Sequence, residues 1–401
     1  MKKILLVITI SVLTVALFVG GAAYAEGKSD VQDAERNLCG FAGCTEGELL
    51  ADRDWCEPGS SASDWLAYVF AINQIPEKYD DYLAELEQYV TDMYAEQGGL
   101  HSVLATEYHR VALTVLALGG DPRAFGLDDE GQPVDLIADG TWGFEAGMDK
   151  QGLNGLVYAL IVLDSKGYEI PEDAGISREE MISQICDEQN DDGGFGFVPG
   201  SSDVDMTAMT LTALAPYQSS QAEVIDRALD FLSSMQTVEG HYESFGDINP
   251  ESVSQVLIAL SALGIDPETD ERFIKGGHTL LDSLNEFRLE DSTYSHIKGE
   301  DWDLMATEQA LLALTALDRY ENGLPGIYDL TDYEFSQPDA SEAGDNAASD
   351  QTVAPGDNAG SQPDASEPGG GHIFEYIAIA AVVVAIMIGI YLMIRRRKCG
   401  K

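Results

Sequence analysis

Six apolar segments recur along the chain at intervals near 50 residues. They read WLAYVFAI (65–72), VALTVLAL (111–118), GLVYALIVL (155–163), MTLTALA (209–215), QVLIALSAL (255–263) and QALLALTAL (309–317). The matched positions Phe70, Leu116, Leu160, Leu214, Leu260 and Leu314 are separated by 46, 44, 54, 46 and 54 residues. A repeat of this length is typical of stacked supersecondary units. Because each segment is apolar nearly all round, each predicts a buried helix.

Amphipathic segments lie between the apolar ones. In residues 223–236, for example, Val224, Ala228, Leu229 and Leu232 fall on one helical face. Each such segment leads into a turn rich in glycine and aromatic residues, where glycine supplies the backbone freedom that a tight turn needs. The unit is therefore an outer helix, a glycine–aromatic loop and an inner helix. Six units predict an all-α fold, an α6/α6 toroid of six inner and six outer helices, whose closure removes the need for capping repeats.

The glycine–aromatic turns, above all Gln189–Phe195, resemble the repeat of the prenyltransferase/squalene-cyclase (terpenoid cyclase) superfamily. The segment 305–330 is similar to secreted bacterial toroid proteins of that superfamily, which in turn resemble the α-domain of intrinsic factor and transcobalamin. The resemblance covers about residues 61–332 and implies an α/α toroid. Because one toroid hosts several chemistries, the resemblance does not by itself imply an activity.

An acidic sequence, Asp203-Val204-Asp205-Met206-Thr207-Ala208, opens the fourth inner helix. Class II triterpene cyclases carry Asp-x-Asp-Asp-Thr-Ala, and the resemblance aligns Asp205 with their proton-donating aspartic acid. That role needs a carboxylic acid that is kept protonated in a dry pocket and polarised by a neighbour. Met206 stands in the place of the neighbouring acid and cannot donate a comparable hydrogen bond. The motif therefore favours a binding module over an enzyme, with Asp205 as the catalytic residue if the chain is a cyclase.

The N-terminal ends of the inner helices and the glycine–aromatic loops are predicted to surround one mouth, which is the natural ligand site. The candidate ligand-binding residues are Glu107, Trp142, Phe144, Phe195, Phe197, Asp205, Tyr242, Glu251, Gln255 and Glu308. Each also has a structural interpretation, because acidic groups cap helix N-termini and aromatic rings pack loops onto helix ends.

The predicted ligand is a small hydrophobic molecule or, by the resemblance to the cobalamin carriers, a corrinoid. No cofactor is predicted. The cobalamin carriers hold their ligand with a second, β-rich domain, so the resemblance also implies a separate β-rich partner. Two alternatives to the binding module stay open: a terpenoid cyclase-like enzyme acting through Asp205, and a cell-surface adhesion or scaffold protein.

Four cysteines, Cys39, Cys44, Cys56 and Cys186, are disulfide candidates and allow three pairings. A zinc site is the alternative, but no histidine lies at ligand spacing near them, so no metal is predicted. The protein prenyltransferases of the same superfamily bind zinc through an Asp-x-Cys motif, and Asp203-Val204-Asp205 lacks the cysteine. This argues against that activity.

The two ends of the chain predict export and anchoring. Residues 1–25 are typical of a signal peptide, and residues 373–394 are long and apolar enough for a transmembrane helix with a basic cytoplasmic tail at 395–401. Between them we expect a cysteine-containing segment (26–60), the toroid (61–332) and a disordered acidic stalk (333–372). The predicted location is the cell membrane, single-pass type I, with the toroid outside the cell.

The chain is strongly acidic, with 70 Asp and Glu against 22 Lys and Arg and a formal net charge of −48. A surface of this sign repels nucleic acid, so no nucleic-acid partner is predicted. The charge is typical of a solvated, mutually repelling surface, and it does not by itself identify a cationic partner.

Overall fold

The computed structural model describes residues 28, 30–244 and 246–338. The chain divides into two units, Met1–Asp345 and Asn346–Lys401, and the second unit lies wholly outside the described residues. The predicted signal peptide at 1–25 and the predicted membrane span at 373–394 also lie outside them. Among the helices that are described, none combines the length and the hydropathy that a bilayer crossing requires.

The described residues contain helices and two short hairpins. The helices are α1 (30–42), α2 (Ser61–Ile72), α3 (Tyr79–Gln97), α4 (Thr106–Ala117), α5 (Leu136–Gly140), α6 (Leu153–Ser165), α7 (Arg178–Asp187), α8 (Val204–Leu214), α9 (Ala222–Met235), α10 (Pro250–Ala262), α11 (Leu280–Asn285) and α12 (Leu304–Glu321). The strands are β1 (Phe195–Val198), β2 (Ser201–Asp203), β3 (Glu243–Ser244) and β4 (Asp247–Ile248), paired antiparallel as β1–β2 and β3–β4.

The six helices that carry the apolar repeats contact one another in cyclic order. Helix α2 contacts α4, and the contacts continue through α6, α8, α10 and α12 until α12 meets α2. Three of these helices begin in the same way, with Asp203, Asn249 and Asp303 as N-caps of α8, α10 and α12. Each cap oxygen accepts a hydrogen bond of 2.9 Å from the backbone N–H three residues on. The caps satisfy amides that the first helical turn leaves unpaired.

Helix α1 lies in the segment that we predicted only as cysteine-containing, and it reaches the last repeat. The side-chain amide of Asn37 donates to the carbonyl oxygen of Asp291 at 2.8 Å. The Asp30 carboxylate pairs with Arg288 at 2.7 Å. The N-terminal segment is therefore joined to residues more than 250 positions away in sequence.

The predicted fold class is wrong. Helices make up about half of the described residues, and two antiparallel sheets occupy glycine–aromatic loops in which the all-α prediction placed no strand. The periphery does not match six regular outer helices either, because α5 has 5 residues and α11 has 6. In the first hairpin, Pro199 and Gly200 connect the strands, and Gly200 has the positive φ of 81° that such turns require. Strands this short show no alternating pattern in the sequence.

After α12, the chain crosses the C-terminal ends of several repeat helices. The backbone N–H of Leu330 donates to the carbonyl oxygen of Ser165 at 2.9 Å. The Tyr333 hydroxyl donates to the carbonyl oxygens of Ala71 and Ala117 at 3.1 and 3.0 Å. The crossing segment, residues 324–338, thus covers the ends of α2, α4 and α6. It includes the first residues of the predicted stalk, 333–338.

A buried ion pair joins α2 to α4. Asp64 is fully buried, and its Oδ2 accepts from Nε of Arg110 at 2.9 Å. Its Oδ1 accepts from the hydroxyl of Tyr82 at 2.7 Å and from the backbone N–H of Gly59 at 3.0 Å. Arg110 also donates to the Glu107 carboxylate at 2.8 Å. The charge of Asp64 is therefore balanced and both of its oxygens are hydrogen-bonded.

Replacing Arg110 with methionine should strongly destabilise the protein, because the buried Asp64 carboxylate then loses its counter-charge. We expect the free energy of unfolding to fall by about 3–5 kcal/mol in urea denaturation. Arg36→Met is the matched control, because Arg36 forms exposed pairs with Asp33 and Glu46 that contribute less than about 1 kcal/mol. Equal losses in the two variants would contradict the role assigned to the buried pair.

Candidate functional site

The N-terminal ends of three successive ring helices carry three carboxyl groups, which we call the carboxyl cluster: Asp205 on α8, Glu251 on α10 and Glu308 on α12. Helix α10 contacts both α8 and α12, so the three groups belong to adjoining helices. Glu251 and Glu308 are buried, and Asp205 keeps some accessible surface. One oxygen of each carboxyl group is shielded from solvent and has no hydrogen-bond partner. Buried carboxyl oxygens without partners are uncommon in folded proteins and often mark functional sites.

Asp205 is held in a form that can carry a proton near neutral pH. Burial and, to a smaller extent, the charge of Asp203 raise the pKa of its carboxyl group to about 6. The Ser252 and Ser244 hydroxyls act in the opposite direction, because they stabilise the ionised form. The Ser244 hydroxyl donates to Oδ2 at 3.3 Å, whereas Oδ1 and the neighbouring Ser252 hydroxyl lack partners of good geometry.

The motif suggested that the side chain of Met206 lies beside the Asp205 carboxyl group, but it does not. That side chain is fully buried in the hydrophobic core. The groups next to the Asp205 carboxyl come instead from the following repeat, namely Ser244 on β3 and Ser252 on α10. The objection that Met206 cannot polarise Asp205 therefore does not decide the chemistry of this site, because other residues supply the hydroxyl groups.

Glu251 forms a pair with a histidine from the next glycine–aromatic loop. Nδ1 of His296 lies 2.8 Å from Oε1 of Glu251. The hydrogen bond to Glu251 raises the pKa of His296, and burial opposes the shift. Glu251 is almost buried, whereas His296 is partly exposed, so the pair connects the carboxyl cluster with solvent.

Glu308 lies deeper and points toward the centre of the ring. Burial raises the pKa of Glu308 well above its usual value, and the charges of Glu251 and Asp303 add to the shift. Burial raises the pKa of Tyr158 as well, and the charge of Glu308 contributes. Tyr158 is on α6, three steps around the ring from α12. Two side chains on opposite helices can influence each other in this way only when both face the interior.

Aromatic side chains cluster around Tyr328 of the crossing segment. Tyr328 of the crossing segment packs against Trp65 and Tyr68, with both ring centroids 5.9 Å away. Tyr158, Trp65 and Tyr328 keep accessible surface, although they belong to the inner helices and the segment that crosses them. Glu308 has aromatic side chains in its surroundings, because its charge contributes to the raised pKa values of Tyr158 and Tyr328.

The remaining predicted site residues lie elsewhere. Glu107 belongs to the ion-pair network of Asp64 and Arg110, and Gln255 donates to Gln309 at 3.3 Å near the cluster. The predicted aromatic residues pack against the core, with Phe195 and Tyr242 fully buried, Phe144 against Tyr108, and Trp142 and Phe197 partly buried. Their role in ligand binding stays a prediction.

Several residues of the site were not found from the sequence. They are Ser244, Ser252, His296, Tyr158 and Tyr328. Ser252 and Tyr158 lie on predicted inner helices, and the repeat alignment could have included them. No sequence signal indicated Ser244, His296 or Tyr328, because loops and the crossing segment bring them to the site.

The four cysteines form no disulfide in the described part of the chain, and all carry free thiols. Cys39 donates to the Glu35 carboxylate at 3.1 Å. Cys186 is on α7, and its thiol donates to Oε1 of Gln221 at 3.4 Å. The thiols of Cys39, Cys44 and Cys186 thus each donate a hydrogen bond.

Comparison with known proteins gives one distant likeness. The chain is 29% identical over 167 residues to drimenyl diphosphate synthase of Streptantibioticus cattleyicolor, and the match covers 39% of this chain and 31% of that protein. It therefore spans about a third of the relative's length. No family model matches the chain. The finding supports a terpenoid cyclase-like resemblance and nothing finer, and it does not bear on secretion or cobalamin binding.

The His296–Glu251 pair predicts a pH dependence that NMR can measure. Because its pKa is raised, His296 should titrate at a higher pH than an unpaired histidine, whose pKa is about 6.5. The stability that the pair contributes is fully present below that ordinary pKa and is lost as the pH rises through the raised value. Glu251→Gln should lower the pKa of His296, with His296→Asn used to assign the resonance. An unchanged titration in Glu251→Gln would show that the pair does not form.

Proposed function

We propose that this protein is a terpenoid cyclase-like enzyme in which Asp205 starts the reaction by protonating a carbon–carbon double bond of an isoprenoid. The observation that carries the proposal is the state of Asp205, whose pKa is raised to about 6 by burial and whose Oδ1 has no hydrogen-bond partner. Below about pH 6 such a carboxyl group is mostly protonated, and its unpartnered oxygen is free to face a substrate. The distant likeness to drimenyl diphosphate synthase supports the same class of chemistry.

The proposed step is an isomerisation that begins and ends with a proton transfer. The O–H bond of Asp205 breaks, and a C–H bond forms at one alkene carbon, which leaves a carbocation at the other. A second double bond of the substrate attacks this carbon, so that a ring closes and the positive charge moves along the chain. Loss of a proton to a base then gives a neutral product, and the Asp205 carboxylate takes up a proton again.

The interior supplies groups that suit such an intermediate. Trp65, Tyr158 and Tyr328 present aromatic faces, and a cation is attracted to the face of an aromatic ring. The Ser244 hydroxyl donates to Oδ2 of Asp205, which stabilises the carboxylate left after the proton has been given away. These contacts take the place of the second aspartic acid in the cyclase motif.

The charge of the site favours a neutral isoprenoid over a diphosphate. Asp203, Asp303 and the three groups of the carboxyl cluster gather at the N-terminal ends of α8, α10 and α12. Those of these groups that are ionised repel a phosphate group. We therefore propose a polyprenyl hydrocarbon or alcohol as the substrate class, although the relative's name refers to a diphosphate product.

The other functional predictions have no observation here that favours them. The ligand-binding module with a hydrophobic or corrinoid ligand, the separate β-rich partner and the adhesion role stay predictions. The location at the cell membrane, with the described part of the chain outside the cell, is likewise a proposal from the sequence.

Asp205→Asn should abolish cyclisation while the fold is kept. We expect a loss of at least about 100-fold in kcat, because asparagine cannot transfer the proton and general acid catalysis typically contributes 10²–10⁴-fold. The assay incubates purified protein with linear polyprenes, polyprenols and their diphosphates and identifies cyclic isomers by gas chromatography and mass spectrometry. Asp135→Asn is the matched control, because Asp135 caps α5 outside the carboxyl cluster and asparagine also caps a helix. Turnover that survives in Asp205→Asn would refute the proposed role.

The pH profile should follow the protonation of Asp205. Because its raised pKa is about 6, the acid form is present below this value, and kcat should fall as the pH rises above it. Ser244→Ala removes a group that lowers this pKa, so the falling limb should move to higher pH. The measurement is kcat against pH for both proteins, with Ser234→Ala as a control serine on α9. An unmoved limb in Ser244→Ala would contradict the assigned contact.

A further inference from the structure

A second group of buried side chains lies where α1 meets the loop after α2. Glu35 and Cys39 are one helical turn apart on α1 and therefore share a face, and Glu77 follows the C-terminal end of α2. One ligand atom from each residue lies within 4.8 Å of the other two. The three residues are 1%, 2% and 3% exposed. None of the three belongs to the carboxyl cluster, which is at the N-terminal ends of α8, α10 and α12.

Backbone amides hold the two carboxyl groups in place. Oε1 of Glu77 accepts from the N–H of Leu49, and Oε2 accepts from the N–H groups of Leu50 and Lys78, each at 3.2 Å. Oε1 of Glu35 accepts from the N–H of Gly47 at 2.8 Å and from the thiol of Cys39 at 3.1 Å. A carboxylate has about four lone-pair sites, so these bonds leave room for a further ligand.

One atom of the group has no partner at all. Oε2 of Glu35 is shielded from solvent and makes no hydrogen bond. Among the described residues, no Lys, Arg or His forms an ion pair with either Glu35 or Glu77. Burial raises the pKa of both carboxyl groups, because two neighbouring buried carboxylates cannot both ionise without a compensating positive charge.

We propose that Glu35, Cys39 and Glu77 bind a divalent transition-metal ion, with Zn²⁺ as the best chemical fit. A thiolate together with two carboxylate oxygens suits Zn²⁺, whereas Ca²⁺ and Mg²⁺ prefer oxygen ligands alone. Bound Zn²⁺ would offset two of the three negative charges of the carboxylates and the thiolate, and it would give Oε2 of Glu35 a partner. It would also tie α1 to the loop after α2.

An adjoining cavity gives the ion an entry path. The cavity has a volume of about 200 Å³, and Glu35, Glu77, Glu46 and Glu48 are among the residues that line it. Its acidic lining attracts cations, and its volume allows a water molecule to complete the coordination. Cys44 is the neighbouring thiol, with Sγ 3.6 Å from the carbonyl oxygen of Cys39.

The test is metal titration of the purified full-length chain after removal of metal with a chelator. We expect one Zn²⁺ per chain by elemental analysis, and binding that weakens as the pH falls because protons compete for the ligands. Co²⁺ should give the charge-transfer absorption of a thiolate ligand. Cys39→Ser should remove this absorption. Cys39→Ser and Glu35→Gln should each weaken Zn²⁺ binding by more than about 100-fold, because changes to residues outside the ligand set typically weaken it by roughly 10–100-fold.

Matched controls separate the site from nonspecific binding. Cys186→Ser removes a thiol on α7, and Glu223→Gln removes an exposed carboxylate on α9, so both variants should bind Zn²⁺ like the unmodified chain. Circular dichroism checks that each variant is folded. If a variant does not fold, the Co²⁺ spectrum of the unmodified chain still tests the proposal. Absence of Zn²⁺ binding at micromolar concentration would overturn the proposal. So would a disulfide between Cys39 and Cys44 in protein from its own cells, or equal binding of Ca²⁺.

Discussion

The contact between α12 and α2 closes the ring, and the interior of the protein depends on it. Asn73 at the end of α2 donates to the Thr315 hydroxyl of α12 at 2.8 Å, across 242 residues of sequence. The Tyr68 hydroxyl donates to the carbonyl oxygen of Ile327 at 2.7 Å. An apolar helix in an open row exposes a flank at each end, whereas a closed ring leaves none exposed. Closure also defines an interior that the repeat helices share.

Burial in this interior has two different outcomes for carboxyl groups. Asp64 has hydrogen-bond partners for both oxygens and a counter-charge from Arg110, which is the arrangement of a structural group. Asp205 and Glu308 each keep an oxygen without a partner, and their pKa values are raised by burial. An unpartnered carboxyl group costs folding free energy, so the recurrence of such groups at the N-terminal ends of ring helices is better explained by chemistry than by stability. Glu35 shows the same imbalance outside the carboxyl cluster, because its Oε2 has no partner and burial raises its pKa.

Much of the ring could be predicted from the sequence, and the errors have a common cause. The apolar repeats located the six ring helices, because a helix buried nearly all round leaves a continuous apolar signal. The predicted fold class was wrong in the loops, because the strands β1 to β4 are too short to show an alternating pattern of apolar and polar residues. Helix α1 was missed as well, since its partners Asp291 and Arg288 are remote in sequence. At the carboxyl cluster, the acids were found from helix ends, but Ser244 and His296 were not.

The sequence by itself determined which residues are helical and apolar, and it placed Asp205, Glu251 and Glu308 at corresponding ends of repeats. Only the tertiary structure decided what these groups contact. Met206 lies next to Asp205 in sequence but turns into the core, and a serine from the following repeat takes the place beside the carboxyl group. Cys39 and Glu77 are far apart along the chain, yet the packing of α1 brings them within 4.8 Å. The physical reason is that sequence periodicity shows on which face of its helix a residue lies. Its contacts with residues of other repeats depend on how the repeats pack when the ring closes.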